Sequence, residues 1–201
     1  MKETFLKVLE WIGGSPFRLF TVIILGVVSL AGWVIYTEKD AFMASYRAQQ
    51  QLPHMNGKYE EAANFILKNS TAELVAIFDV NQLLNTRKLV YMVTRTGRDK
   101  DNDGLDVGLL TKNHSNNNDV ITLMSGKIPC GEYGLPQSQI GFVYKDYGIN
   151  FMCRVAVPVE PGSFIGQISV GWKEQPSDVE VAQTIMTVSS GLLFGKRMNT
   201  D

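Results

Sequence analysis

The stretch LFTVIILGVVSLAGWVIY, residues 19–36, divides the chain and decides how the rest must be interpreted. Its 18 residues include no charged side chain. As a helix rising ~1.5 Å per residue they reach about 27 Å, which just crosses the apolar core of a bilayer. We therefore predict a transmembrane helix over residues 19–36, with Arg18 snorkelling at one end and Trp33 and Tyr36 in the opposite interface.

A cleaved signal peptide and a buried soluble helix are the alternatives for this stretch. Ser29, Leu30 and Ala31 have the small-x-small form of a signal-peptidase site, so cleavage could occur there. The apolar run continues beyond that site to Tyr36, which favours a retained helix. A buried helix of a soluble protein would show a polar face, and this stretch shows none.

The flanking charges favour a cytoplasmic N-terminus. Three basic residues precede the helix within residues 1–18, against Lys39 and Arg47 within a comparable distance after it. The segment 1–18 also spaces apolar side chains as an amphipathic interfacial helix would, although a disordered tail fits such a short segment equally well. Inside the membrane helix, Gly26, Ser29 and Gly32 share one broad face, which predicts a surface where a neighbouring helix could approach closely.

Beyond the membrane we predict a juxtamembrane helix over residues 37–53, ended by Pro53, and then a globular domain over residues 54–201. Apolar spacing predicts a helix at 58–68. A last helix at 177–197 would open on a capping box formed by Ser177 and Glu180. Runs rich in β-branched and aromatic residues predict six strands, at 72–80, 88–95, 120–124, 140–145, 149–159 and 164–173.

This order of elements predicts an α+β class: a single N-terminal transmembrane helix followed by a periplasmic domain in which an antiparallel meander is packed by helices, in PAS-like layering. In residues 164–172, FIGQISVGW, the apolar side chains alternate with smaller or polar ones. That alternation is typical of a sheet covered by helices on one face.

The cysteine count leaves three interpretations open. Cys130 and Cys153 are the only two cysteines, and an even count in an oxidising compartment favours one disulfide between them. They could instead be reduced core residues. A catalytic thiol with His54 or His114 as its base is the third option, for which no local signature exists.

Composition and motifs exclude several function classes. The 19 basic and 20 acidic residues are nearly balanced and scattered, so a nucleic-acid partner is not expected. The acidic run 99–104 matches the first half of a calcium loop, but Leu110 stands where the bidentate Glu belongs, which favours a solvated hairpin loop. The polar run 112–119 predicts an exposed turn carrying a surface His114. We expect no enzyme, no metal and no cofactor, because no catalytic constellation is present.

Two stretches resemble the large single-span holins of T4-type phages. The first is residues 34–49, VIYTEKDAFMASYRAQ, and the second is residues 149–196, INFMCRVAVPVEPGSFIGQISVGWKEQPSDVEVAQTIMTVSSGLLFGK. In the second, Gly166 and Trp172 stand where that family has its closing glycine-bearing, aromatic-ended strand. The order of parts along the whole chain is also similar, whereas residues 97–134 offer nothing to match.

The resemblance implies a phage holin, a non-enzymatic protein that accumulates in the host bacterial inner membrane and oligomerises into lesions. These lesions release endolysin and so time host-cell lysis. The N-terminus would be cytoplasmic, and the periplasmic domain would bind an antiholin, which gives lysis inhibition. The implied partners are other copies of the chain, the antiholin and the lipid bilayer.

The alternative is a membrane-tethered extracytoplasmic sensor or ligand-binding module, since PAS-like domains beyond a first membrane helix often receive ligands. A sensor normally needs a second span and a cytoplasmic output domain. The chain ends at Asp201 with neither, so we favour the holin.

Overall fold

The computed structural model describes residues 11, 14–51, 53–136 and 138–195, and side chains of residues 40–42 and 44–51 are excepted. Two compact units divide at Leu52 and Pro53. We call residues 53–195 of the second the globular unit. Most of the predicted amphipathic segment 1–18 lies outside the described residues.

The first unit contains one long helix, α1 (Pro16–Gln51). Proline suits a first helical position because its missing N–H would have no intrahelical partner there. Between Pro16 and Lys39 the helix is long and apolar enough to cross a membrane, and all of its side chains there are exposed. The Thr21 and Thr37 hydroxyls donate to carbonyls one turn earlier, so they need no outside partner. The predicted membrane and juxtamembrane helices are therefore one continuous helix.

The globular unit is built on a six-stranded antiparallel sheet. Its bounds in chain order are β1 (His54–Met55), α2 (Tyr59–Asn69), β2 (Leu74–Asn81), β3 (Thr86–Thr94), β4 (Gly97–Asp99), α3 (His114–Met124), β5 (Cys130–Glu132), α4 (Gln139–Asp146), β6 (Phe151–Val157), β7 (Gly166–Trp172), α5 (Val179–Leu193) and β8 (Phe194–Gly195). The order across the sheet is β4-β3-β2-β7-β6-β5, while β1 and β8 form a separate pair. The α+β class and the antiparallel pairing are confirmed.

The predicted meander is wrong, because β2 pairs with β7, near the opposite end of the chain. The sheet is also covered on both faces. Val75 and Ile77 pack with helices α2 and α5, while Leu74, Ala76 and Phe78 pack on the side of α3 and α4. Because both faces are buried, β7 is buried at every position and the one-sided covering expected for it is wrong.

Two predicted strands are helices. Residues 120–124 belong to α3 and residues 140–145 to α4. Short apolar runs fit either structure, and here the buried positions have helical spacing, as in Ile140 and Tyr144. The polar run 112–119 is likewise not a turn between strands but the start of α3, where the Asn113 side chain accepts from two backbone amides and caps the helix. His114 is exposed, as expected.

The helix α5 confirms the predicted last helix and buries Ala182, Met186 and Leu193. Its N-cap is Asp178, whose carboxylate accepts from the Val181 amide, so the capping box predicted at Ser177 is wrong. The helix α2 likewise lies where predicted and buries Ala62, Ala63 and Ile66.

Candidate functional site

A group of polar side chains is buried between the sheet and helices α3 and α4. Arg87 follows the alternation of β3 toward this side, in step with buried Leu89, and is only 5% exposed. Its guanidinium donates to the Gln167 side chain of β7 at 3.0 Å and to the Asn116 side chain of α3 at 2.6 Å. Gln167 in turn donates to the Ser169 hydroxyl at 2.8 Å. We call Arg87, Asn116, Gln167 and Ser169 the buried polar network.

The charge of Arg87 is not balanced by a carboxylate at contact distance. Among the described residues its guanidinium forms no ion pair, and both of its hydrogen-bond acceptors are neutral amide oxygens. Asp106 is nearby, but its carboxylate accepts from the Arg87 backbone amide. Burial, followed by the positive charge of Arg154, lowers the pKa of Arg87 to about 10. Arg87 therefore remains a cation at neutral pH.

A second arginine, Arg154 of β6, lies beside this network. Its guanidinium contacts the Asp119 carboxylate of α3 at 2.8 Å and lies 5.7 Å from the centre of the Tyr133 ring. This ion pair is mostly buried, so it links α3 to the sheet more firmly than an exposed pair would.

These side chains line a partly open cavity of about 20 Å³. Two buried donors there have no well-aligned hydrogen-bond partner among the described residues, Nε of Arg87 and the hydroxyl of Tyr144. Tyr144 is 3% exposed and lies near Ser169. Burial raises the pKa of Tyr144, so its hydroxyl stays protonated and can donate. The cavity can accept a small hydrogen-bond acceptor, but it has no room for an organic ligand.

A larger open groove lies where β5, α4 and the end of β7 meet. It has a volume of about 270 Å³. Both signs of charge line it, with Glu132 and Glu174 beside Lys145 and Lys173, around the buried Tyr133. Such a mixed, open surface suits contact with another polar surface better than capture of one small ion.

Cys130 and Cys153 are paired across β5 and β6, and their sulfurs are 2.05 Å apart. This geometry agrees with the predicted disulfide rather than with the catalytic-thiol or the reduced-core interpretation. His54 lies in β1 and His114 at the start of α3, and neither has a thiol to activate.

The predicted oligomerisation face on α1 is fully open. Gly26 and Gly32 have nothing within 4 Å of where a Cβ would stand, and Ser29 is exposed. A neighbouring helix could approach this side closely, but its role in assembly stays a prediction.

In the acidic run 99–104, the carboxylates of Asp99 and Asp103 already have protein partners. Asp99 accepts from the Tyr147 hydroxyl at 2.9 Å and from the Asp101 amide, and Asp103 pairs with Arg98 at 2.7 Å. Within the described part of the chain, no group of three His, Cys, Asp or Glu side chains could hold a metal ion.

The buried polar network was not predicted from the sequence. A partial signal was present for Arg87, which alternates in step with buried Leu89. Gln167 gave no such signal, because it stands on the face of residues 164–172 that was expected to be uncovered, and only the burial of both sheet faces encloses it. Neither residue carries a recognisable motif, and they meet Asn116 only in the folded chain.

Comparison with known proteins gives a fold but no family. No family model matches the chain, and no curated protein matches it. A far-red cyanobacteriochrome photoreceptor is similar over 79% of this chain and 94% of its own, with 9% identity and a TM-score of 0.51. A red/green cyanobacteriochrome matches over 67% of this chain and 88% of its own, at 12% identity and a TM-score of 0.48. The GAF domain of a two-component sensor histidine kinase from Bacillus halodurans matches over 66% and 93%, at 10% identity and 0.47.

The first of these similarities shows a shared fold alone, at an identity too low to carry over any residue. The globular unit thus has the α+β fold seen in the far-red cyanobacteriochrome photoreceptor, with helices on both faces of an antiparallel sheet.

Proposed function

We propose that this chain is a membrane-anchored phage holin: α1 spans the host inner membrane, the globular unit lies in the periplasm, and copies assemble into lesions that release endolysin. The apolar, fully exposed helix between Pro16 and Lys39 supports the anchor. The disulfide supports an oxidising compartment for the globular unit, because such bonds are rare in the cytosol. The resemblance of residues 34–49 and 149–196 to T4-type holins supports the role in lysis.

The choice of a protein-binding role for the globular unit rests on one observation. The partly open cavity between its sheet and helices α3 and α4 measures about 20 Å³, whereas pockets for organic ligands typically measure ~300–1,000 Å³. Arg87, Asn116 and Gln167 fill the region instead. The globular unit is therefore proposed to act through its surface, with an antiholin as its partner and no catalysis.

The second candidate is an extracytoplasmic sensor or ligand-binding module. The fold shared with a photoreceptor favours it, and the open groove of about 270 Å³ beside Lys145 and Lys173 offers a place for a ligand. The two candidates differ in what α1 must do: a sensor needs α1 only as a tether, whereas a holin needs α1 to associate with copies of itself.

Expression in a bacterium together with a cytoplasmic endolysin that lacks an export signal separates the candidates. A holin gives abrupt lysis at a reproducible time after induction. Continued growth, despite membrane insertion shown by fractionation, would overturn the proposal and leave the sensor. Mass spectrometry of the membrane protein checks that the Ser29-Leu30-Ala31 site is uncut.

The helix face provides a sharper test in the same assay. Gly26→Leu with Gly32→Leu adds bulk where close helix approach is expected, and we predict a changed lysis time because small residues permit that approach. Ala31→Leu is the matched control, since at 3.6 residues per turn it adds the same kind of bulk on the opposite side. If both variants lyse on the wild-type schedule, the proposed face is wrong.

A further inference from the structure

The buried polar network has an excess of positive charge and of hydrogen-bond donors. Arg87 is 5% exposed, and its hydrogen-bond acceptors among the described residues are neutral amide oxygens. Arg154 adds a second guanidinium to the same cavity. Arg154 has Asp119 as its counter-charge, but Arg87 has no carboxylate in contact among the described residues. The carboxylates of Asp106 and Asp119 offset this charge only in part, since neither touches the Arg87 guanidinium. A buried charge without a contacting counter-charge is costly, so this arrangement favours a bound negative partner.

Two donors at the cavity indicate what that partner must be: Nε of Arg87, which has no hydrogen-bond partner among the described residues, and the hydroxyl of Tyr144, which lies beside the Ser169 hydroxyl. Nε–H of Arg87 can only donate, and the Tyr144 hydroxyl stays protonated and can donate as well. Both atoms are buried, and both belong to residues that line the cavity. A negatively charged ligand would accept hydrogen bonds from both donors and would also offset the charge of Arg87. Water could accept the hydrogen bonds but could not offset the charge.

The size of the cavity restricts the ligand further. A volume of about 20 Å³ exceeds the ~10–15 Å³ that a single water-sized particle requires, and it leaves no room for a carboxylic acid with a side chain or for a nucleotide. We propose that the globular unit binds one small inorganic anion, of the size of chloride, between Arg87, Arg154 and Tyr144. The site joins β3 and β6 of the sheet to helix α4, so an anion there would hold that helix against the sheet. The proposal is independent of the role in lysis.

Thermal unfolding of the full chain in detergent micelles tests the site, with sodium chloride exchanged for sodium gluconate at constant ionic strength. Gluconate is too large for the cavity. Because a ligand that binds only the folded state stabilises it by mass action, each tenfold rise in chloride above its Kd should raise Tm by about 3–6 °C. Equal Tm values in chloride and gluconate would overturn the proposal and show that the cavity holds water alone.

Two matched variants test whether the effect of chloride on Tm arises at this cavity. Tyr144→Phe removes one proposed donor, and we expect its Tm to respond several-fold less to chloride. Tyr147→Phe removes a hydroxyl at the end of the same helix, where it bonds Asp99 outside the cavity, and its response should equal that of the wild type. Equal responses of the two variants would place the ion elsewhere and overturn the assignment. Neither result depends on whether the chain causes lysis.

Discussion

The helices α1 and α5 are both apolar, yet they meet opposite surroundings. Between Pro16 and Lys39, α1 is apolar all round and none of it is buried. The helix α5 has 15 residues, buries Met186 and Leu193, and keeps Val181 and Val188 exposed. Apolar content alone therefore does not decide the environment of a helix. Length and the presence or absence of a polar face decide it.

The buried hydroxyl groups of α5 show the same contrast, whereas its exposed Thr184 and Thr187 donate within their own helix. In α1 the Thr21 and Thr37 hydroxyls donate within their own helix. In α5, Ser189 donates to the Ala62 carbonyl of α2 at 2.9 Å, and Ser190 donates to the Ala156 carbonyl of β6 at 2.7 Å. A membrane helix must satisfy its polar groups internally, whereas a core helix can use its neighbours.

The largest expected effect comes from charging exposed valines in each helix. Val27→Arg with Val28→Arg should abolish membrane insertion of α1, because each arginine at the centre of a span costs about 2.5–3.5 kcal/mol. The matched pair Val181→Arg with Val188→Arg, similarly exposed on α5, should leave both insertion and folding intact, since water surrounds them. Carbonate extraction measures insertion, and protease resistance measures folding. Loss of folding in the α5 pair would contradict the assigned environments.

The next largest difference is expected from replacing a methionine in each helix, because Met186 of α5 is buried and Met43 of α1 is exposed. Met186→Ala in α5 removes a fully buried side chain, and we expect the free energy of unfolding of the globular unit to fall by about 2–5 kcal/mol. Met43→Ala in α1 alters an exposed side chain and should change it by less than about 0.5 kcal/mol. Urea unfolding of the two full-length variants in detergent makes the comparison. Equal losses would contradict the packing of α5.

The disulfide provides a third difference, because α1 contains no crosslink. Cys130→Ala with Cys153→Ala opens a link between residues 23 apart in sequence, and the globular unit should lose about 2–4 kcal/mol. Reducing the wild-type protein should lower its stability comparably, while membrane insertion stays unchanged. If neither treatment lowers the unfolding midpoint, the bond does not stabilise the unit.

The smallest expected effect concerns pH. The pKa of Asp106 is lowered, chiefly by the Gly108 backbone amide, despite an opposing effect of burial. Such a carboxylate adds stability above its unfolded pKa, and that stability disappears as pH falls through the folded pKa. Asp106→Asn should therefore lose less stability than wild type between about pH 5 and 3. Identical slopes in acid unfolding would contradict the amide contacts.

The local spacing of apolar residues predicted those helices and strands that are long or strongly periodic. The apolar run of α1, the helical spacing of α2 and α5, and four of the six predicted strands need only the residues along one segment. The short strands β1, β4, β5 and β8 were missed, because two or three residues leave too little pattern to detect. Residues 120–124 and 140–145 were assigned as strands, since a short apolar run fits either structure until its partners are known.

The site depended on contacts far apart in sequence. Arg87 meets Asn116 and Gln167, which lie 29 and 80 residues away along the chain. No local pattern can bring these side chains together, because their meeting depends on β2 pairing with β7 and on α3 crossing the sheet.

By itself, the sequence determined that an apolar helix precedes an α+β unit and that two cysteines are available to pair, because hydrophobic spacing and residue counts are properties of the chain alone. Only the tertiary structure decided the strand order, the covering of both sheet faces and the burial of Arg87 without a contacting carboxylate in the described part of the chain. The physical reason is that these features depend on which distant segments exclude water from one another.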